Sequence, residues 1–209
     1  DNVFCEGITG ITPLDIQFAR EFGYRIKLLA IAKRLNSEVE VRVHPALVPE
    51  DNLLAKVDGV YNAINVVGDM VGPNTFIGQG AGSLPTASAV MGDVMEISRD
   101  LITGAQGRLP SPMQCRESQS LLKMRDIKDI EMEYYLRFTA VDRPGVLSRI
   151  SGILGASDIS IASVIQKGRQ EGEGVPLVIM THAAREEDVQ KSLREITRFD
   201  FVLEDTILI

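Results

Sequence analysis

Tyr135-Leu136-Arg137-Phe138-Thr139-Ala140-Val141-Asp142-Arg143-Pro144-Gly145-Val146-Leu147 is the stretch whose reading decides the fold. Its first seven residues read as a strand, and Asp142-Arg143-Pro144-Gly145 reads as a turn, because Pro and Gly break regular structure. Val146, Leu147, Ile150, Ile153 and Leu154 then recur at helical spacing and give one apolar stripe. Further out, Ile159, Ile161, Ser163 and Ile165 alternate with Ser160, Ala162 and Val164, which is strand periodicity. Glu171-Gly172-Glu173-Gly174 reads as a hairpin loop returning through a strand over 175–182. Val189, Leu193 and Ile196 mark a second helix, with Glu186, Glu187 and Asp188 at the end where the dipole favours acids. Residues 199–209 are expected to close the unit as a last strand. The order βαββαβ is the ferredoxin-like arrangement, a fold that by itself fixes no function.

Upstream, Gly104-Ala105-Gln106-Gly107-Arg108-Leu109-Pro110-Ser111-Pro112 breaks any helix, and mixed charges follow. This places a linker over 104–133, with its tip exposed, between a first domain over 1–103 and a second over 134–209. In the first, Thr12-Pro13-Leu14-Asp15 is a helix start with Thr12 as cap and Pro13 at the first helical position. That helix is expected to end near Gly23. Residues 25–34 and 39–47 read as extended segments, 53–57 as a helical turn, 61–68 and 74–77 as strands, and 85–101 as a long helix. These strands complete no sheet of their own, so the fold class is α+β, an incomplete mixed α/β domain followed by the ferredoxin-like one. The chain also starts at Asp1, within sequence of structured character, and is expected to be a fragment of a longer protein.

The 209 residues are 44% hydrophobic, enough for real cores, and carry a formal net charge of −7. Charges of both signs are interspersed, which argues against nucleic acid as the main partner, since phosphate binding needs a clustered basic face. No apolar run approaches the ~18–20 residues that span a bilayer, so no membrane partner is expected. Cys5 and Cys115 lie outside any metal-ligand spacing; they are read as inert, no metal site is expected, and the setting is read as cytoplasmic. His44 and His182 have no second histidine or cysteine nearby and are read as structural. Glu6, Asp15 and Lys27 mimic the acid–lysine set that protonates a carbonyl oxygen. Lys27, however, lies in the alternating Arg25-Ile26-Lys27-Leu28 and is read as part of an exposed strand face. Gly78-Gln79-Gly80-Ala81-Gly82 precedes a helix, whose free N–H groups suit an anion or a closely approaching cofactor; a tight turn without ligand is the other reading.

Several blocks, in order, resemble homoserine dehydrogenases: Glu6-Gly7-Ile8, Ile11-Thr12-Pro13-Leu14-Asp15-Ile16, Gly23-Tyr24-Arg25-Ile26-Lys27-Leu28-Leu29-Ala30-Ile31-Ala32-Lys33, Val41-Arg42-Val43-His44-Pro45-Ala46-Leu47-Val48-Pro49 and the run from Gly78 to Val90. The second half resembles the ACT domain of bacterial members. The resemblance implies a parent enzyme that reduces aspartate semialdehyde to homoserine with NADP or NAD, on the route to threonine and methionine. It also implies that the nucleotide-binding domain and the catalytic lysine segment lie upstream of Asp1. No catalytic residue is then expected in this chain, which by itself should be inactive. Gly82 matches the family's last glycine of the run, which touches the nicotinamide cofactor, and Gly80 is grouped with it.

For the second half the resemblance implies an effector site: Asp142, Arg143, Gly145, Val146 and Leu147 of one ACT domain facing Asp158, Ile159, Ser160 and Ile161 of a neighbouring one. L-Threonine, the pathway end product, is the expected ligand, and a homo-oligomer through both domains is the expected assembly. The family usually carries Asn where this chain has Asp158, and an ionised Asp accepts from an ammonium but cannot donate to a carboxylate. The rival readings are a stand-alone amino-acid-binding or oligomerisation module without enzyme activity, and an ACT domain attached to an aspartate kinase or a prephenate dehydratase. Residues 1–100 resemble neither of those two enzymes.

Overall fold

A computed structural model describes residues 3–105, 122–168 and 174–209. Most of the linker sequence with Cys115, and the expected hairpin loop at Glu171-Gly172-Glu173, lie outside the described residues. By compactness the chain forms two units. One joins Asp1–Pro49 with Leu122–Ile209, and the other is Glu50–Leu121.

The first unit opens with β1 (Phe4–Cys5) and α1 (Pro13–Glu21). Thr12 caps α1 as the sequence predicts. Its hydroxyl accepts from the Asp15 N–H, and the Asp15 carboxylate accepts from the Thr12 N–H at 2.8 Å, a reciprocal capping box. Gly23, at φ +82, then turns the chain into a hairpin of β2 (Tyr24–Leu35) and β3 (Glu38–Pro49). The hairpin is antiparallel and in unbroken register from Tyr24↔Pro49 to Leu35↔Glu38. Asn36, at φ +55, carries the tight loop, in a region that Asn tolerates better than most residues.

The second unit holds a 3-10 turn at Leu53–Lys56 and the antiparallel pair β4 (Tyr61–Gly68) and β5 (Gly72–Gln79). The 21-residue α2 (Ser83–Thr103) follows. No α2 residue is buried; Leu84, Ile97, Leu101 and Ile102 are all exposed.

The chain returns to the first unit through β6 (Lys123–Met124), which pairs parallel with β3, and β7 (Glu131–Met132). The ferredoxin-like part then comprises β8 (Tyr135–Val141), α3 (Val146–Ala156), β9 (Ile161–Gln166), β10 (Gly174–Thr181), a bridge strand β11 (Ala184–Arg185), α4 (Glu186–Ile196) and β12 (Ile207–Leu208). Its sheet runs β12-β8-β10-β9, all antiparallel. One expectation fails in detail. The segment 199–209 is not a continuous strand; after a bridge between Val202 and Ala140 it pairs only at Ile207–Leu208.

Side chains alternate across this sheet, and both faces are covered. Leu136, Phe138, Leu177 and Ile179 join Ile150, Leu154, Val189 and Ile196 of the two helices in one core. The intervening Tyr135, Val178 and Met180 form a second cluster with Phe18 of α1, edged by Leu14, Leu47 and Ile207. Burial on both faces explains why β8 and β10 read as nearly continuous apolar runs rather than alternating ones.

Candidate functional site

Where β8 gives way to α3, the loop Asp142-Arg143-Pro144-Gly145 bounds a cavity of about 330 Å³. Gly145 sits at φ +91, where a Cβ would strain the backbone although nothing lies within 4 Å of its place. As N-cap of α3 it offers no side-chain hydrogen bond to the helix, and no acidic residue occupies the first turn. The first N–H groups of the helix lack intrahelical acceptors and carry the positive end of its dipole. The Val146 N–H donates to the Arg143 carbonyl at 3.4 Å, which leaves those of Leu147 and Ser148 as the donors at the start of the helix.

The register of the sheet supplies the rest of the lining. Ala140 pairs with Val175, and Leu177 pairs with both Phe138 and Gln166, so Ala140, Val175, Leu177 and Gln166 project from the same face, beneath the start of α3. Asp142, Arg143, Gly145, Val146 and Leu147, singled out from the sequence, all line this cavity. Gln166, Val175 and Leu177 were missed, because only strand pairing brings them to the loop. The cavity thus has an apolar floor, an acid at Asp142, an amide at Gln166 and backbone donors at one end. That set can accommodate a small zwitterion.

Asp158, Ile159 and Ser160 lie past the other end of α3, a helix length of ~17 Å away, and do not line the cavity. Asp158 has φ +59, a left-handed conformation that Asp and Asn adopt more readily than other residues with a Cβ. Ile159 is a core residue, only 3% exposed, so it offers backbone rather than side chain to a ligand. The Ser160 carbonyl accepts from the His182 N–H at 2.8 Å.

In the second unit, Gly80 and Gly82 share the turn between β5 and α2. Gly82, at φ +126, is the N-cap of α2 and again gives no side-chain cap, which leaves the helix N–H groups free for an incoming group. Gly80 has a local reason for being glycine. Its N–H donates to the Val60 carbonyl at 2.9 Å, and a Cβ there would fall 1.6 Å from Nδ2 of Asn62.

The residues that mimic an acid–lysine set are not assembled as one. Asp15 is fully buried and accepts from Arg137 Nε (2.5 Å) and Nη2 (3.1 Å), from the Tyr135 hydroxyl (3.0 Å) and from the Thr12 hydroxyl (2.6 Å). Burial pushes its pKa up, but the hydrogen bonds from Arg137, Thr12 and Tyr135 outweigh that and hold it below the usual carboxylate range. Glu6 lines a different cavity, of about 260 Å³, with His44, Tyr134 and Glu186. Its carboxyl is raised by burial and by the charge of Glu186. His44 accepts from Arg42 Nε at 2.9 Å and hydrogen-bonds the Pro45 carbonyl at 2.7 Å; burial lowers its pKa, which suits a structural, neutral imidazole. Among the described residues no group of His, Cys, Asp and Glu could hold a metal ion, and no helix is long and apolar enough to cross a membrane.

A homoserine dehydrogenase family model matches residues 1–95, and an ACT-domain model matches residues 134–200. The homoserine dehydrogenase of Neisseria gonorrhoeae is 41% identical over 203 residues, covering 95% of this chain and 46% of the relative. That of Helicobacter pylori is 40% identical over 204 residues, covering 98% and 47%. Among solved structures, a homoserine dehydrogenase from Thiobacillus denitrificans superposes with a TM-score of 0.87 at 39% identity, over 100% of this chain and 47% of its own. The chain spans about half the length of the curated relatives it matches. With both portions matched in order and at these identities, the chain belongs to the homoserine dehydrogenase family, as the C-terminal part of a member with its ACT domain.

Proposed function

We propose that this chain is the regulatory and structural portion of an NAD(P)-dependent homoserine dehydrogenase, the enzyme that reduces aspartate semialdehyde to homoserine, and that its ACT half senses an amino acid. The observation that carries the sensing reading is the cavity at Asp142–Gly145, lined by the start of α3 together with Asp142 and Gln166. An α-carboxylate suits the helix start and an ammonium suits Asp142. L-Threonine, the end product of the proposed pathway, is the ligand of choice. A neighbouring ACT domain would bring its Asp158, Ile159 and Ser160 to the same ligand. An effector then shifts the enzyme only as far as it binds one arrangement of the paired domains better than the other.

The turn at Gly82 fits a nicotinamide dinucleotide, which approaches backbone closely and favours free N–H groups; hydride transfer is what that group would supply. Gly80 serves the turn through its fit against Asn62. The catalytic lysine and most cofactor contacts are assigned to the other half of the parent protein, so this chain alone has no dehydrogenase activity. The exposed apolar side chains of α2 and of the β4–β5 hairpin support an assembled homo-oligomer.

Calorimetric titration of L-threonine, with homoserine, methionine, isoleucine and serine as controls, tests the sensing reading. Saturable binding with a raised Tm is the expected result; at ~100 times the Kd the ligand adds about 2.7 kcal/mol of stability. Gly145→Ala should weaken binding, because it forces a side chain into the left-handed region. Absence of binding by any of the five, in folded protein, removes the sensor. Oxidation of reduced nicotinamide by the full-length parent, and none by this chain, tests the enzyme reading.

A further inference from the structure

Arg143 lines two cavities, one on either side of the loop. Among the described residues it is the sole cationic side chain at the first, the proposed effector cavity, and it also borders a second of about 440 Å³ with Gly145, Arg149, Asp200 and Phe201. Its guanidinium belongs to the second side. Nη2 donates to Asp200 Oδ1 at 2.9 Å, and Cζ stands 5.8 Å from the centre of the Phe201 ring, which stacks on Phe199. The strongest carboxylate binder at the effector loop is thus held by a carboxylate of the protein itself.

The hold is a weak one. The Asp200 side chain is 76% exposed and that of Arg143 46%, and ion pairs in such positions are marginal. Phe201 beneath them is fixed, because the Val141 N–H donates to its carbonyl at 2.9 Å and its ring is buried in the core. The latch therefore has a rigid base and a loose clasp. Resting on the effector reading above, we infer that Asp200 is a positioning residue that sets the loop's affinity for an α-amino acid: it keeps Arg143 turned away, and the ligand's carboxylate competes with Asp200 for the guanidinium.

Asp200→Asn removes the competing charge while keeping shape. In the full chain it lowers the Kd for L-threonine by about two- to five-fold, the equivalent of one exposed ion pair. Asp200→Glu restores wild-type affinity. In an Arg143→Ala background the Asn substitution has no effect, as a double-mutant cycle reads directly. L-Threoninamide, which lacks the carboxylate, gains nothing from Asp200→Asn; a merely structural role for Asp200 would move both ligands alike. Binding by the Asn variant where the wild type binds none also supports the latch. If the wild type binds threonine and Asp200→Asn leaves the Kd unchanged or raises it, the latch is wrong and the sensor stands. If neither binds while circular dichroism shows both folded, the sensor reading fails and the latch with it.

Discussion

Arg137 is the one charged residue in the apolar strand Tyr135–Val141, and it ends 7% exposed against a fully buried Asp15. The pair explains the charge in the strand, and it explains why Asp15 belongs to packing rather than chemistry. Removing one partner of a buried pair leaves the other unpaired, which costs about 3–5 kcal/mol. Asp15→Asn is accordingly expected to lower the unfolding free energy from urea denaturation at neutral pH by an amount in that range. A change within error would remove the pair as a pin. Because the folded-state pKa of Asp15 is depressed, its contribution is fully present above the ordinary carboxylate value of ~3.9. It fades as pH falls through the lower folded value, so wild type and variant converge in stability in acid. At this scale the sequence was half legible. The cap at Thr12–Asp15 followed from residue types and spacing, but Arg137 lies 122 residues from Asp15 and no local signal joins them.

Elements were read well where local chemistry dictates them and poorly where neighbours do. The helix starts at Pro13 and Val146, the strand Tyr135–Val141 and the two extended segments on either side of Asn36 all carry their own turn or capping residues. The segment 199–209 carries no such signal; its apolar residues fill the core from a loop, with Phe201 only 1% exposed. Ile159 misled in the same way, by alternating like a strand residue while lying in the turn before β9. The lining of the proposed effector cavity was legible on the loop side and hidden on the sheet side, since Gln166, Val175 and Leu177 reach it only through register. At the start of α2, a Cβ at position 80 would meet the exposed side chain of Asn62, which must then turn aside. Gly80→Ala should therefore destabilise the β5–α2 turn by about 1 kcal/mol at most, the low end of overpacking costs, because a flexible side chain can give way. Adding Asn62→Ala should recover most of it. Equal stability of the single and double variants in thermal melts would show that Asn62 is not the obstacle.

At the scale of the molecule, the discontinuity of the first unit is the main surprise to a reading along the chain. Residues 1–49 supply α1 and the long hairpin, and residues 122–209 supply the sheet on which α1 packs. Lys167 reinforces the contact by donating to Glu21 at 2.5 Å. Local pattern cannot announce such a union, because both pieces look like ordinary partners for something. It yields a prediction about the whole. Pro49 and the Glu38 end of β3, where β6 pairs, are separated by a 12-residue strand, about 36 Å. A variant in which a Gly/Ser linker of roughly 40 residues replaces 50–121, giving an r.m.s. reach of ~35 Å, should still unfold in one cooperative transition. Two separate transitions, or loss of the near-UV signal of Tyr135, would break the unit into independent parts.

The same contact sets a clock on biosynthesis. Translation proceeds at about 5–20 residues per second, so Asp15 and Phe18 wait on the order of 6–24 s before the strand that neutralises one and covers the other has been made. Through that interval α1 and the two-stranded hairpin lack the sheet that later covers them, and a hairpin without such cover is marginal in water. Until then the apolar face of α1 is open and its carboxylate awaits its arginine. Demand for a holding chaperone should fall in that interval and end when Arg137 arrives.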